Sequence, residues 1–169
     1  MPVGTVSECE YFAVVSCRAA DVFMEKLNKT LQPGVKILKA SGATANPNFA
    51  RIAAAAEYEI EFETAVGLPG LQEILKARSY QISYEQKGET VSKDVRPLIC
   101  DLKGSGKTYR FTLASGSMNL RADRLTNHLL KAAGRQNAYY TVTKKRTFAK
   151  EFQDFDTLFF SGETSAALK

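Results

Sequence analysis

The sequence predicts an α+β chain of ferredoxin-like units, and three observations carry that prediction. Short alternating apolar strands recur between amphipathic helices. From residue 49 onward the elements follow the order β-α-β-β-β-α-β, a split βαβ pattern with one extra hairpin strand. No apolar run approaches the ~18–20 residues of a membrane span. The 169 residues are 44% hydrophobic and 24% charged, ordinary for a globular protein, with room for one full domain and a fragment.

Residues 8–17 alternate and read as a strand, with Tyr11, Ala13 and Val15 on one side and Phe12, Val14 and Ser16 on the other. A helix follows over about 20–31, with Phe23, Leu27 and Leu31 on one face, and Pro33-Gly34 stops it. Val35 to Lys39 reads as a second strand. A strand needs neighbours to satisfy its backbone, and nothing precedes the first one. Residues 1–45 are therefore expected to be a partial ferredoxin-like module. Gly42 to Pro47, small and turn-rich, reads as a linker.

Residues 46–147 read as a more complete second module. Phe49, Ile52, Ala53 and Ala56 open it with a short helix face. Glu57 to Glu63 alternates strictly, turning Tyr58, Ile60 and Phe62 to a core and four glutamates to solvent. Leu71, Ile74 and Leu75 define a helix face. Tyr80, Ile82 and Tyr84 mark a strand, Lys87-Gly88 a turn, and Val95 to Leu102 with Tyr109 to Leu113 a hairpin. The helix over about 122–133 places Leu125, His128, Leu129 and Ala132 together, and Gly134 closes it. Ala138, Tyr140 and Val142 form the last strand. Residues 148–169 make an aromatic tail in which Phe148, Phe152, Phe155 and Phe159 keep helical spacing. Two readings stand: the tail packs on its own domain, or Phe152, Phe155 and Phe159 dock a partner.

The net charge of +5 hides an asymmetry. Residues 76–150 hold 16 basic and 5 acidic residues, a net +11, whereas the segments on either side are each at −3. Such a segment attracts polyanions at long range. Its candidate phosphate contacts are Arg96, Arg121, Arg124, Lys144, Lys145 and Arg146, with Tyr139 and Tyr140 interleaved. Basic residues with aromatics on a sheet suit RNA, where phosphates supply affinity and exposed bases stack.

Other motifs point away from catalysis. Gly104-Ser105-Gly106-Lys107-Thr108 ends like a phosphate loop, but the required first glycine is Asp101, and a strand follows instead of a helix. It reads as a hairpin turn. His128 is the sole histidine, read as packed and hydrogen-bonded in the core. Cys9, Cys17 and Cys100 form no C-x-x-C pair, which argues against a disulfide framework, zinc or an iron–sulfur cluster and fits a reducing cytoplasm. They read as small buried hydrophobes. In Lys93-Asp94-Val95-Arg96-Pro97-Leu98-Ile99 the proline implies an edge strand or bulge and holds Arg96 extended.

Several strings together resemble the radical SAM-linked protein family, a bacterial domain of unknown function found fused to or encoded beside radical SAM proteins. They are Pro2-Val3-Gly4 through Ser7-Glu8-Cys9-Glu10-Tyr11, Leu27-Asn28, Pro33-Gly34, Ala56-Glu57-Tyr58, Lys93 to Ile99, and Leu120-Arg121. The resemblance runs from Pro2 to about Phe148. It implies a radical SAM partner, and it implies that an N-terminal half, with a basic helix and a Gly-Phe-Asn-Pro-His-Pro loop, lies outside this sequence. The resulting expectation is a non-catalytic, cytoplasmic accessory domain that works with a radical SAM enzyme and contacts RNA through a basic face. It has no metal, no cofactor and no membrane span. The alternatives are an adaptor docking that enzyme through the first module and tail, or the scaffold half of a larger enzyme.

Overall fold

A computed structural model describes residues 5–43, 46–86, 88–116 and 118–160. Strand β2 (Ala55–Phe62) leads through α3 (Leu71–Lys76) to a hairpin, β3 (Gln81–Gln86) and β4 (Glu89–Asp94). After a 3-10 turn at Arg96–Leu98 come β5 (Ile99–Ser105), β6 (Thr108–Ala114), α4 (Ala122–Ala132) and β7 (Tyr140–Phe148). Strand β1 (Thr5–Ser7), α1 (Ala20–Asn28) and α2 (Phe49–Ile52) precede this unit, and α5 (Phe155–Phe160) follows it. The main sheet runs β1-β7-β2-β6-β5. Strands β7, β2, β6 and β5 are antiparallel neighbours, and β1 joins β7 in parallel. Without β1 and the separate β3–β4 hairpin, this is the split βαβ order of a ferredoxin-like fold, as the α+β pattern predicts.

The alternation of β2 places Ile60 and Phe62 in the core with Phe111 and Leu113 of β6 and Val142 of β7. Leu71 and Ile74 of α3, and Leu125, Leu129 and Leu130 of α4, cover that face. The β5–β6 turn is glycine for a physical reason. Gly104 has φ +125, and a Cβ there would lie 2.4 Å from the carbonyl oxygen of Thr108. The phosphate-loop look-alike is thus a hairpin tip, whose Gly106 and Lys107 carbonyls accept the Val66 and Phe62 N–H groups.

The first 45 residues depart most from expectation. No strand forms over 8–19 or 35–39; the strand lies earlier, at Thr5–Ser7, and completes the edge of the second module's sheet. The edge of β7 is taken by Thr5–Ser7, residues 8–17 pair with no strand despite their alternation, and Phe12, Val14 and Val15 are exposed. Asn28 holds the 35–39 segment against α1 instead, its side chain bonding both the N–H and the carbonyl of Ile37. The Val95-to-Leu102 strand is also corrected. Glu89–Asp94 is the partner of β3, and Arg96-Pro97 turns the chain before β5 begins, because proline lacks the N–H that strand pairing needs. The Lys87 half of the predicted turn, Pro2-Val3-Gly4, and Thr44-Ala45 of the linker lie outside the described residues.

A second apolar cluster takes in part of the tail. Phe155, Leu158, Phe159 and Ala149 are buried with Tyr11, Phe49 and Ile52 packed on them. Phe155 is 0% exposed and its ring lies 5.0 Å from that of Tyr11. Phe155 and Phe159 therefore face the chain's own interior, whereas Phe152 is 59% exposed. Residues past 160 lie outside the described residues.

Candidate nucleic-acid interface

The six basic candidates do not share one surface. Arg96 is spent on backbone: its guanidinium donates to the carbonyls of Ile99 at 2.8 Å and Leu75 at 2.6 Å. Its Nε is buried without a partner. Asp94 steadies the same corner, accepting the N–H of Tyr80 at 2.9 Å and of Arg96 at 3.0 Å. Those two N–H groups hold the Asp94 carboxyl below the usual carboxylate range. Arg96 is a clasp between the end of α3 and the start of β5.

The Lys144-Lys145-Arg146 triplet is divided by a bulge. Pairing of β2 with β7 shifts between Glu57, opposite Arg146, and Tyr58, opposite Lys144, leaving Lys145 as the extra residue. Lys144 thus lies on the side of Tyr58, 14% exposed and 3.3 Å from Glu10. Lys145 turns to the glutamate side, 2.6 Å from Glu8 and 3.9 Å from Glu59. The Glu8 carboxylate raises the Lys145 pKa. Arg146 is exposed and lies opposite Glu57 in the register. Glu59, expected to face water alone, also takes Arg110 at 3.1 Å. This sheet face is a mixed ionic surface, which blunts its attraction for a polyanion.

Arg121 and Arg124 do come together, where α4 meets the β3–β4 hairpin. Tyr84, Lys93, Val95, Asn119, Leu120, Arg121 and Arg124 line a cleft of about 190 Å³ there. Of these, Val95 and Leu120 are buried. The guanidinium carbon of Arg124 sits 4.2 Å from the centre of the Tyr84 ring. Arg121 is held by Asp123 through two hydrogen bonds, one of 2.9 Å from Nε, and that carboxylate raises its pKa. Tyr140, beside this pair, donates to Asn127 at 2.8 Å, and burial with the nearby Asp123 charge pushes its pKa up to about 12.

Lys93 and Tyr84 were not among the candidates drawn from the sequence. The signal was present: alternation on both sides of Gly88 makes a hairpin whose register pairs Ile82 with Lys93 and Tyr84 with Val91. All four share one face. Tyr139 is 77% exposed, as an interleaved aromatic should be. His128 is half-buried rather than in the core, its ring edge-on to Tyr80 at 5.6 Å. Burial and Lys131 lower its pKa. Cys9 is half-buried, 3.7 Å from the Thr147 hydroxyl, while Cys17 and Cys100 are exposed, contrary to the buried reading. Among the described residues no group of three His, Cys, Asp or Glu side chains is placed to hold a metal, and no helix is long and apolar enough to cross a membrane.

The fold is α+β, a ferredoxin-like sheet with an aromatic and basic cleft beside it. The chain belongs to the family described as "Uncharacterized protein conserved in bacteria (DUF2344)", whose model matches residues 1–139. Comparisons with curated proteins and with solved structures give no match.

Proposed function

We propose that this chain is a non-catalytic accessory module that contacts RNA through the cleft between the β3–β4 hairpin and α4, beside a radical SAM enzyme. One observation supports the RNA reading: Lys93, Arg121 and Arg124 line one open cleft with Tyr84, and Arg124 lies over the Tyr84 ring. Cations supply salt-dependent affinity for phosphates, and planar groups accept bases. The net +11 of residues 76–150 favours encounter with such a ligand. The radical SAM partner is supported by the sequence resemblance alone.

The test is titration of the full chain with a structured RNA at rising salt. Binding that weakens steeply between about 50 and 200 mM salt is the expected result. A second reading, an adaptor that docks the enzyme through residues 8–43 and Phe152, is favoured by exposed Phe12, Val14, Val15 and Leu38. No RNA binding at low salt, with loss of the enzyme partner in a Phe12→Ser, Val15→Ser, Phe152→Ser variant, puts the adaptor first.

A further inference from the structure

We propose that the cleft seats one nucleotide unit of a single-stranded RNA, with a phosphate between Lys93 and Arg121 and an unpaired base on the guanidinium plane of Arg124. This rests on the RNA reading above and adds to it the strandedness and the seat of the base.

The first argument is the plane. A guanidinium is flat, delocalised and weakly hydrated, so it stacks where an ammonium does not. Arg124 is pinned over Tyr84 at 4.2 Å, and among the described residues it makes no ion pair. Its plane is ordered by the ring beneath it, which lowers the entropy cost of receiving a base.

The second argument is size. At about 190 Å³ the cleft is smaller than the ~300–1,000 Å³ of pockets that enclose a small molecule. It suits one unit of a chain that continues over the surface. A duplex keeps its bases stacked on one another and brings only phosphates and sugars to such a cleft.

The third is rigidity. The hairpin that carries Tyr84 and Lys93 is locked at its base by Asp94, and Ile82, 1% exposed, fastens it to the core. Asp123 occupies one edge of Arg121 and competes with phosphate for it. The Asp123→Asn variant should therefore bind RNA more tightly.

The experiment is fluorescence anisotropy of the full chain with labelled single-stranded oligouridine, an RNA duplex of equal length, and inorganic phosphate as competitor. The single strand should bind more tightly than the duplex. Arg124→Lys, which keeps the charge and removes the plane, should weaken single-strand binding roughly tenfold. Lys93→Ala should reduce the slope of log affinity against log salt by about 0.7. Arg146→Ala, beyond the bulge on the sheet, should lower affinity only slightly and leave the preference for single strand over duplex unchanged.

Equal binding of duplex and single strand overturns the proposal, as does an Arg124→Lys variant with wild-type affinity. Phosphate competing as well as oligouridine at equal charge also overturns it, leaving an anion site only. In those cases RNA contact itself survives. Absence of any RNA binding at low salt instead defeats the function on which the proposal rests. If Arg124→Lys fails to fold, exposed Lys93 decides: an unchanged salt slope in Lys93→Ala overturns the phosphate seat.

Discussion

Arg96 shows how one residue's environment overrides its charge. A cation before a proline in a basic segment invites a phosphate, yet its donors are committed to the carbonyls of Leu75 and Ile99. Arg96→Ala would leave both carbonyls without that partner, at a cost of about 2 kcal/mol. Denaturant unfolding measures this, and the same variant should keep the salt slope of RNA binding. Asp94 beside it makes a prediction in pH. Its folded pKa is lowered by two backbone N–H groups, so its contribution to stability is present above the unfolded value of about 3.9. That contribution is lost as pH falls through the lower, folded value. Stability of the wild type should drop more steeply below about pH 4 than that of Asp94→Asn. Thermal melts between about pH 2 and pH 6 decide this.

At the scale of elements, α5 and the turn before it divide the aromatic tail. Phe155 lies among Tyr11, Phe49 and Phe159, so Phe155→Ala should cost about 3–5 kcal/mol. Phe152 is exposed and sits, with Glu151, at positive φ of 57 and 59. Phe152→Gly should therefore leave stability unchanged or raise it, since glycine adopts that region without the side-chain clash. Chemical denaturation of the two variants separates a helix that packs on its own chain from an aromatic available to a partner. The helical spacing read across the tail holds only for Phe155 and Phe159, since Phe148 ends β7 and Phe152 lies in a 3-10 turn at positive φ. Which phenylalanine met the core was not legible in the sequence, because periodicity gives a face but not what stands opposite it.

Across the whole molecule, β1 ties the segment after it to the basic strand β7. It brings Glu8 and Glu10 onto Lys145 and Lys144. These pairs are partly exposed and contribute little to stability. Their larger effect is electrostatic: two carboxylates offset two of the cations in the basic segment. The Glu8→Gln, Glu10→Gln double variant should bind RNA more tightly at low salt, with the gain vanishing at high salt, while its melting temperature moves little. Anisotropy at two salt concentrations and a thermal melt check both halves of this expectation.

What the sequence determined by itself was whatever local periodicity encodes. The strict alternation of Glu57 to Glu63, the apolar stripe of Leu125 and Leu129, and the glycines of the β5–β6 turn specify elements with little help from distant residues. They sufficed for an α+β, ferredoxin-like unit. The tertiary structure decided everything that depends on which edge or charge lies opposite. Residues 8–17 alternate as a strand should, yet the edge of β7 is taken by Thr5–Ser7, and alternation without a bonding partner leaves the backbone to water. A single bulge at Lys145 divides a triplet that reads as one cluster in sequence. The cleft joins residues of the hairpin and α4 that lie some distance apart along the chain: Tyr84 and Lys93 on one side, Arg121 and Arg124 on the other. Local spacing cannot bring such residues together, because only the packing of the hairpin on the helix sets the distance between them.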